Sequence, residues 1–182
     1  MSEIKVASRY AKSLIDLALE NKALEEIKGD MTLFVNTLKA NSELQAVVKN
    51  PIIPLGKKNA ILKAVFGDKI NKVTAAFLKI VVDKGRAEII YGTAKEFLNQ
   101  YNQFKNIVTA KVVSAADLTE AAKTEIINKV KAVTGGQVNL KTSIDTSLIG
   151  GFILTVGDKQ FDASISSSLA KLKKDFAQKV IA

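Results

Sequence analysis

The chain has 182 residues, 47% apolar and 25% charged, the composition of a folded globular protein with room for one medium domain or two small ones. It contains neither cysteine nor histidine, which excludes disulfides and thiolate metal sites and removes the commonest general base and the commonest metal ligand. A net charge of +9 invites a nucleic-acid or anionic-membrane reading, but the lysines stand singly and the longest basic runs are pairs such as Lys57-Lys58 and Lys173-Lys174, as on an ordinary solvated surface.

The first hundred residues read as six short helices. In the first, Ala7, Tyr10, Ala11, Leu14 and Ala18 recur at three- and four-residue steps and share a face. The second runs from about Lys22 to Lys39 with Leu24, Ile27, Met31, Phe34 and Leu38 on its stripe. Asn41-Ser42 is expected to cap a third carrying Leu44, Val47 and Val48, which Asn50-Pro51 ends. Ile61, Leu62, Val65 and Phe66 mark a fourth, with Gly67 as its stop. The fifth, with Ile70, Val73, Thr74, Phe77, Leu78 and Val81, is the most regular and ends in a basic turn and glycine, Lys84-Gly85. Ile90, Ala94, Phe97, Leu98 and Tyr101 mark the sixth.

The pattern changes near Asn106. Ile107–Val113 is rich in β-branched residues and reads as a half-buried strand. A helix with Ala122, Ile126, Val130 and Val133 follows and stops at Gly135-Gly136. Val138, Leu140, Thr142 and Ile144 alternate with polar residues in a second strand, and 152–156 make a third. Gly157-Asp158 is a two-residue hairpin turn into a short fourth strand, and a last helix carries Ile165, Leu169, Leu172, Phe176 and Val180. The fold class is therefore α+β in two domains: an N-terminal six-helix bundle over residues 1–105 and a small C-terminal α/β domain over 106–182.

Chemistry is hard to find. Gly135-Gly136 and Gly150-Gly151 belong to no phosphate-binding motif and read as a helix stop and a bend into a strand. Asp145, Asp158 and Asp162 match no metal loop and read as turn or capping residues; Ser164, Ser166, Ser167 and Ser168 have no histidine to activate them and read as a helix start. The aromatic residues fall mostly on core stripes instead of interleaving with cations, so a nucleic-acid-binding module, the alternative reading, rests on charge alone. No apolar stretch approaches the roughly 20 residues of a membrane-spanning helix, and the opening Met-Ser-Glu-Ile-Lys resembles neither a signal nor a transit sequence. The anomaly is surplus apolar surface. From Val73 to Val82 only Thr74 and Lys79 are polar, and Val73, Ala76 and Ile80 form a second stripe beside the core stripe; the first helix also has apolar residues on more than one face. Two such stripes side by side make a groove for an amphipathic partner helix, whereas two central helices covered by their own chain give the same pattern.

In order and spacing, the chain from Ala7 to about Phe176 resembles the δ subunit of bacterial F-type ATP synthases, the family that includes the mitochondrial oligomycin-sensitivity conferring protein. The resemblance is carried by Ala7-Ser8-Arg9-Tyr10-Ala11, Asn50-Pro51, Phe77-Leu78 leading to Lys84-Gly85-Arg86, and Val113-Ser114-Ala115 with Leu118. Asp145 with Ser147-Leu148-Ile149-Gly150-Gly151, then Gly157-Asp158 with Asp162 and Ser164, complete it. One departure is Ala163, where the family places glycine, which bears on the local turn; Thr146 falls at a variable position. The resemblance implies a non-catalytic stator subunit with no cofactor, metal, nucleic acid or small-molecule substrate. Its N-terminal domain is expected to bind the N-terminal segments of alpha subunits, and its C-terminal domain the far, C-terminal ends of the b subunits of the peripheral stalk. That places it on the cytoplasmic side of a bacterial inner membrane, associated with it only through the complex, where it lets proton-driven rotation drive ATP synthesis. Carried over residue by residue, the alpha-binding groove comprises Tyr10, Leu14, Ala76 and Ile80 with Ala7 and Lys79 flanking; Ile149, Gly150 and Gly151 either face the stalk or simply set a bend.

Overall fold

The computed structural model describes residues 3–67 and 69–179. The chain divides between Asn102 and Gln103 into two compact units, so the last two residues of the sixth helix, Gln103 and Phe104, go with the second.

The first unit is helical: α1 (Glu3–Glu20), α2 (Leu24–Ala40), α3 (Ser42–Lys49), α4 (Leu55–Phe66), α5 (Lys72–Asp83), a 3-10 turn (Ala87–Ile89) and the greater part of α6 (Ile90–Phe104). Each helix turns its periodic stripe inward. Leu14, Ile27, Met31, Phe34, Leu38, Phe66, Val81, Ile90 and Phe97 are essentially inaccessible to water, each contributing about 1.5–3 kcal/mol by burial. The rings of Phe34 and Phe66 meet at 4.9 Å between centroids and tie α2 to α4. Tyr101 of α6 donates its hydroxyl to Glu25 of α2 at 2.7 Å; burial, then this bond to a carboxylate, pushes the phenol up to about 12.

Helix ends follow local chemistry, with some departures from expectation. The helix α2 starts at Leu24 and not at Lys22, because Lys22 takes φ +53° in the stop of α1, where Lys22 N–H reaches Leu19 O and Ala23 N–H reaches Ala18 O. Asn41 does precede α3, but its amide turns back to donate to Thr37 O at 3.0 Å and caps α2 instead. The glycine after α4, Gly67, keeps right-handed backbone with φ −51°. The stop of α5 is a Schellman motif: Gly85, at φ +71°, donates to Val82 O at 2.8 Å and Arg86 donates to Val81 O at 3.0 Å. Nothing crowds Gly85, so Gly85→Ala is expected to cost only the left-handed backbone penalty, about 1 kcal/mol in urea unfolding, whereas Lys22→Gly relieves that penalty and should stabilise by about 0.5 kcal/mol.

The second unit is a four-stranded sheet in the order β2-β1-β3-β4. Strand β1 (Ile107–Ser114) pairs in parallel with β2 (Gln137–Ile144) across the helix α7 (Glu120–Thr134), and antiparallel with β3 (Phe152–Val156), which turns at Gly157-Asp158 into β4 (Lys159–Asp162). The core is thin. Ala110 and Val112 of β1 meet Ile126 and Val130 of α7, with Leu140, Phe152 and Leu154 around them. A helix α8 (Ile165–Lys179) closes the described chain; Val180, which sequence periodicity placed on its stripe, lies outside the described residues.

Both glycine pairs serve close packing. Gly135 stops α7 at φ +67°, and a Cβ on Gly136 would fall 2.3 Å from Asn106 O. Gly151 sits at φ +80° with a Cβ position 2.3 Å from Ala163 O. Ala163 N–H donates to Phe152 O at 3.0 Å and Ala163 itself keeps φ out of the left-handed region, so the turn is made without a glycine at 163.

Candidate partner-binding surface

Helix α5 is held at both ends, which fixes the face it shows. At its start Asn71 Oδ1 accepts from Val73 N–H at 2.9 Å. The buried carboxylate of Asp30 on α2 accepts from Asn71 N–H at 2.9 Å and from the Thr74 hydroxyl at 2.6 Å, an anion at a helix N-terminus with its hydrogen bonds made inside the bundle. At its end the Schellman turn aims Arg86 back at α1, where Nη1 donates to Tyr10 Oη at 2.9 Å and the guanidinium lies 5.8 Å from the ring centroid. The Tyr10 ring also meets Phe77 edge-on, at 6.3 Å and 70°. Phe77, Tyr10 and Arg86 thus form one row joining α5 to α1 at the surface.

With Thr74, Leu78, Val81 and Val82 buried, the remaining face of α5 is open: Ala76 and Lys79 are exposed and Ile80 is 56% exposed beside the Phe77 row. Ala76 and Lys79 also line a cleft of about 420 Å³ against α4, together with Leu62, Ile70, Ala75 and Leu78. The six residues singled out from sequence therefore divide. Tyr10, Ala76, Lys79 and Ile80 reach the surface, whereas Leu14 (0% exposed) and Ala7 (5%) are buried, Ala7 on the side of α1 that meets Tyr91 and Gly92 of α6. Phe77, assigned to the core stripe by its spacing, is half-buried and meets Tyr10 across the two helices; Arg86, named in the sequence only within the Lys84-Gly85-Arg86 run, was not singled out for this surface.

The carboxylates of the second unit have structural work. Asp145 Oδ1 accepts from the backbone and hydroxyl of Ser147, at 2.9 and 2.6 Å, and these bonds hold its carboxyl below the usual range. Asp162 is held low in the same way, first by the Ser167 hydroxyl and then by Ser164; Ser164 Oγ in turn accepts from Ser167 N–H and caps α8. Among the described residues no three carboxylates gather as a metal site, and no helix is long and apolar enough to cross a membrane.

Comparison with known proteins gives a consistent picture. A family model described as "ATP synthase delta (OSCP) subunit" matches residues 6–176. A protein of Cytophaga hutchinsonii called ATP synthase subunit delta is 38% identical over 181 residues, covering 100% of this chain and 99% of its own. A protein of the same name from Desulforamulus reducens is 36% identical, covering 96% of each. Among solved structures, a chain of the Toxoplasma gondii mitochondrial ATP synthase hexamer superposes with a TM-score of 0.72 at 24% identity, over 94% of this chain and 97% of that one, a likeness of fold.

Proposed function

Since the chain belongs to the ATP synthase delta (OSCP) subunit family, and is thus a non-catalytic stator subunit of that complex, we propose that the α1–α5 surface receives the N-terminal segment of an alpha subunit while the second unit meets the C-terminal ends of the b subunits. The observation that carries the first contact is the apolar row of Phe77 and Tyr10 with Ile80 exposed beside it. An amphipathic helix laid along that row buries its apolar face against Ile80 and Ala76, and Arg86 and Lys79 stand at the edges for its carboxylates. The second contact is supported by apolar surface left open on a small unit: Ile149 and Phe161 are both exposed, besides the stripe of α8. Working there, the protein sits peripherally on the cytoplasmic face of a bacterial inner membrane and resists the torque of the proton-driven rotor.

The test is a calorimetric titration of the whole chain with a peptide copying the N-terminus of the same organism's alpha subunit, at low and high salt. One-to-one binding that survives high salt is the expected result, because apolar burial is screened little by ions. Affinity that falls steeply with salt, or no binding by the folded chain, would move the contact off this surface.

A further inference from the structure

The cleft of about 420 Å³ between α4 and α5 falls in the size range of small-molecule sites and has their make-up, an apolar lining with a few polar groups set into it. Leu62, Ile70, Ala75 and Leu78 supply apolar surface, and among the described residues Lys63 and Lys79 are its only charged side chains. Neither lysine forms an ion pair with a described carboxylate. Asp83, one turn beyond Lys79 on α5, does not line the cleft and accepts from the Asn59 amide at 2.6 Å. Gly67, also in the lining, leaves the cleft unfilled at that point; a Cβ there would fall 2.5 Å from Lys63 O. The charge is regional as well as local. Residues 55–84 carry seven lysines against two aspartates, a surplus of five in a chain whose net charge is +9. An apolar cleft in a positive field, with two ammonium groups in its wall, complements a molecule with an apolar body and an anionic head.

The extent of the lining sets the size of that molecule. On α5 it runs only from Ala75 to Lys79, about 6 Å of helix axis, and on α4 from Asn59 to Gly67, about 12 Å. A partner helix, about 10 Å across and anchored over several turns, finds too little of α5 there, whereas one extended hydrocarbon chain can lie in it. We propose that this cleft binds a small anionic amphiphile, a single medium-length acyl chain ended by a carboxylate, with the chain against Leu62, Ile70 and Leu78 and the head between Lys63 and Lys79. The proposal does not rest on the alpha-subunit contact. Ala76 and Lys79 belong to both surfaces, but Lys63 and Ala60 of α4 lie outside the row of Tyr10, Phe77 and Arg86 and report on the cleft alone.

The probe is decanoate, titrated calorimetrically into the whole chain below its micelle concentration, beside hexanoate and neutral decanol. One decanoate per chain is expected to bind, at least tenfold tighter than decanol and tighter than hexanoate by about two- to fourfold for each added methylene. Lys63→Glu should weaken decanoate binding at least tenfold, and Ala60→Trp, which fills part of the cleft, at least fivefold. Both positions are exposed, so circular dichroism should show both variants folded. Equal binding of decanol and decanoate, several decanoates per chain, or undiminished binding by both folded variants overturns the proposal. So does co-sedimentation with phosphatidylglycerol vesicles that Lys63→Glu abolishes, in the absence of saturable decanoate binding, since the cationic face then meets a bilayer surface.

Discussion

Ile80→Asp is expected to weaken binding of the alpha-subunit segment by more than about 2 kcal/mol, roughly thirtyfold, with little effect on the stability of the free chain. The asymmetry follows from exposure. Ile80 is 56% accessible, so a carboxylate there stays hydrated until a partner covers it. Once covered, the charge sits at the centre of an apolar contact, where truncation and charge substitutions have their largest effects. Calorimetry of the variant against the same peptide, with a thermal melt to show that it remains folded, is the measurement; a folded variant that binds normally places the contact away from α5.

Gly151→Ala is expected to destabilise the second unit by about 3 kcal/mol, from a left-handed backbone that alanine resists and an overpacked contact. Its Cβ would lie 2.3 Å from Ala163 O and 3.0 Å from Ser164 Cα, both backbone atoms that cannot swing aside. Relief requires the 162–165 segment to move, which breaks Ala163 N–H to Phe152 O and Ile165 N–H to Gly150 O. Hydrogen exchange should show the amides of β3 and the first turn of α8 opening earlier while α1–α5 are unchanged. Gly157→Ala is the control: its φ is +58° but nothing lies within 4 Å, so it should cost only about 1 kcal/mol. If the two variants unfold alike, the close approach at 151 carries no energy of its own.

Much of this architecture was legible in the sequence because periodicity and punctuation are local. The stripe of α5 and its Lys84-Gly85 stop, the β-branched run of β1 and the Gly157-Asp158 hairpin each depend on a few neighbouring residues. What was not legible depends on residues far apart. Asn41 had two helices within reach, and only the fold decides that its amide serves the one behind it. Leu14 and Tyr10 lie four apart on one stripe, yet one is sealed and the other meets Phe77 and Arg86, because Tyr10 falls where α1 passes the end of α5. Periodicity likewise announces a stripe on α8 without saying whether anything of its own chain covers it.

The central place of β1 has a consequence for how the protein is made. Both of its neighbours come later in the chain: its register with β2 joins Ile107 to Gln137, and that with β3 joins Ala110 to Val156. A ribosome therefore delivers a β-branched strand that has no hydrogen-bonding neighbour until 30 to 46 more residues have emerged, and closing those loops is slow compared with forming helices. The contacts of the first unit are complete by Asn102. It can condense while β1 is still waiting, so the half of the molecule proposed to grip the catalytic head matures first. A nascent chain whose first 135 residues have emerged has the whole helical unit and a bare strand outside the ribosome, and that is the stage at which aggregation is most to be expected.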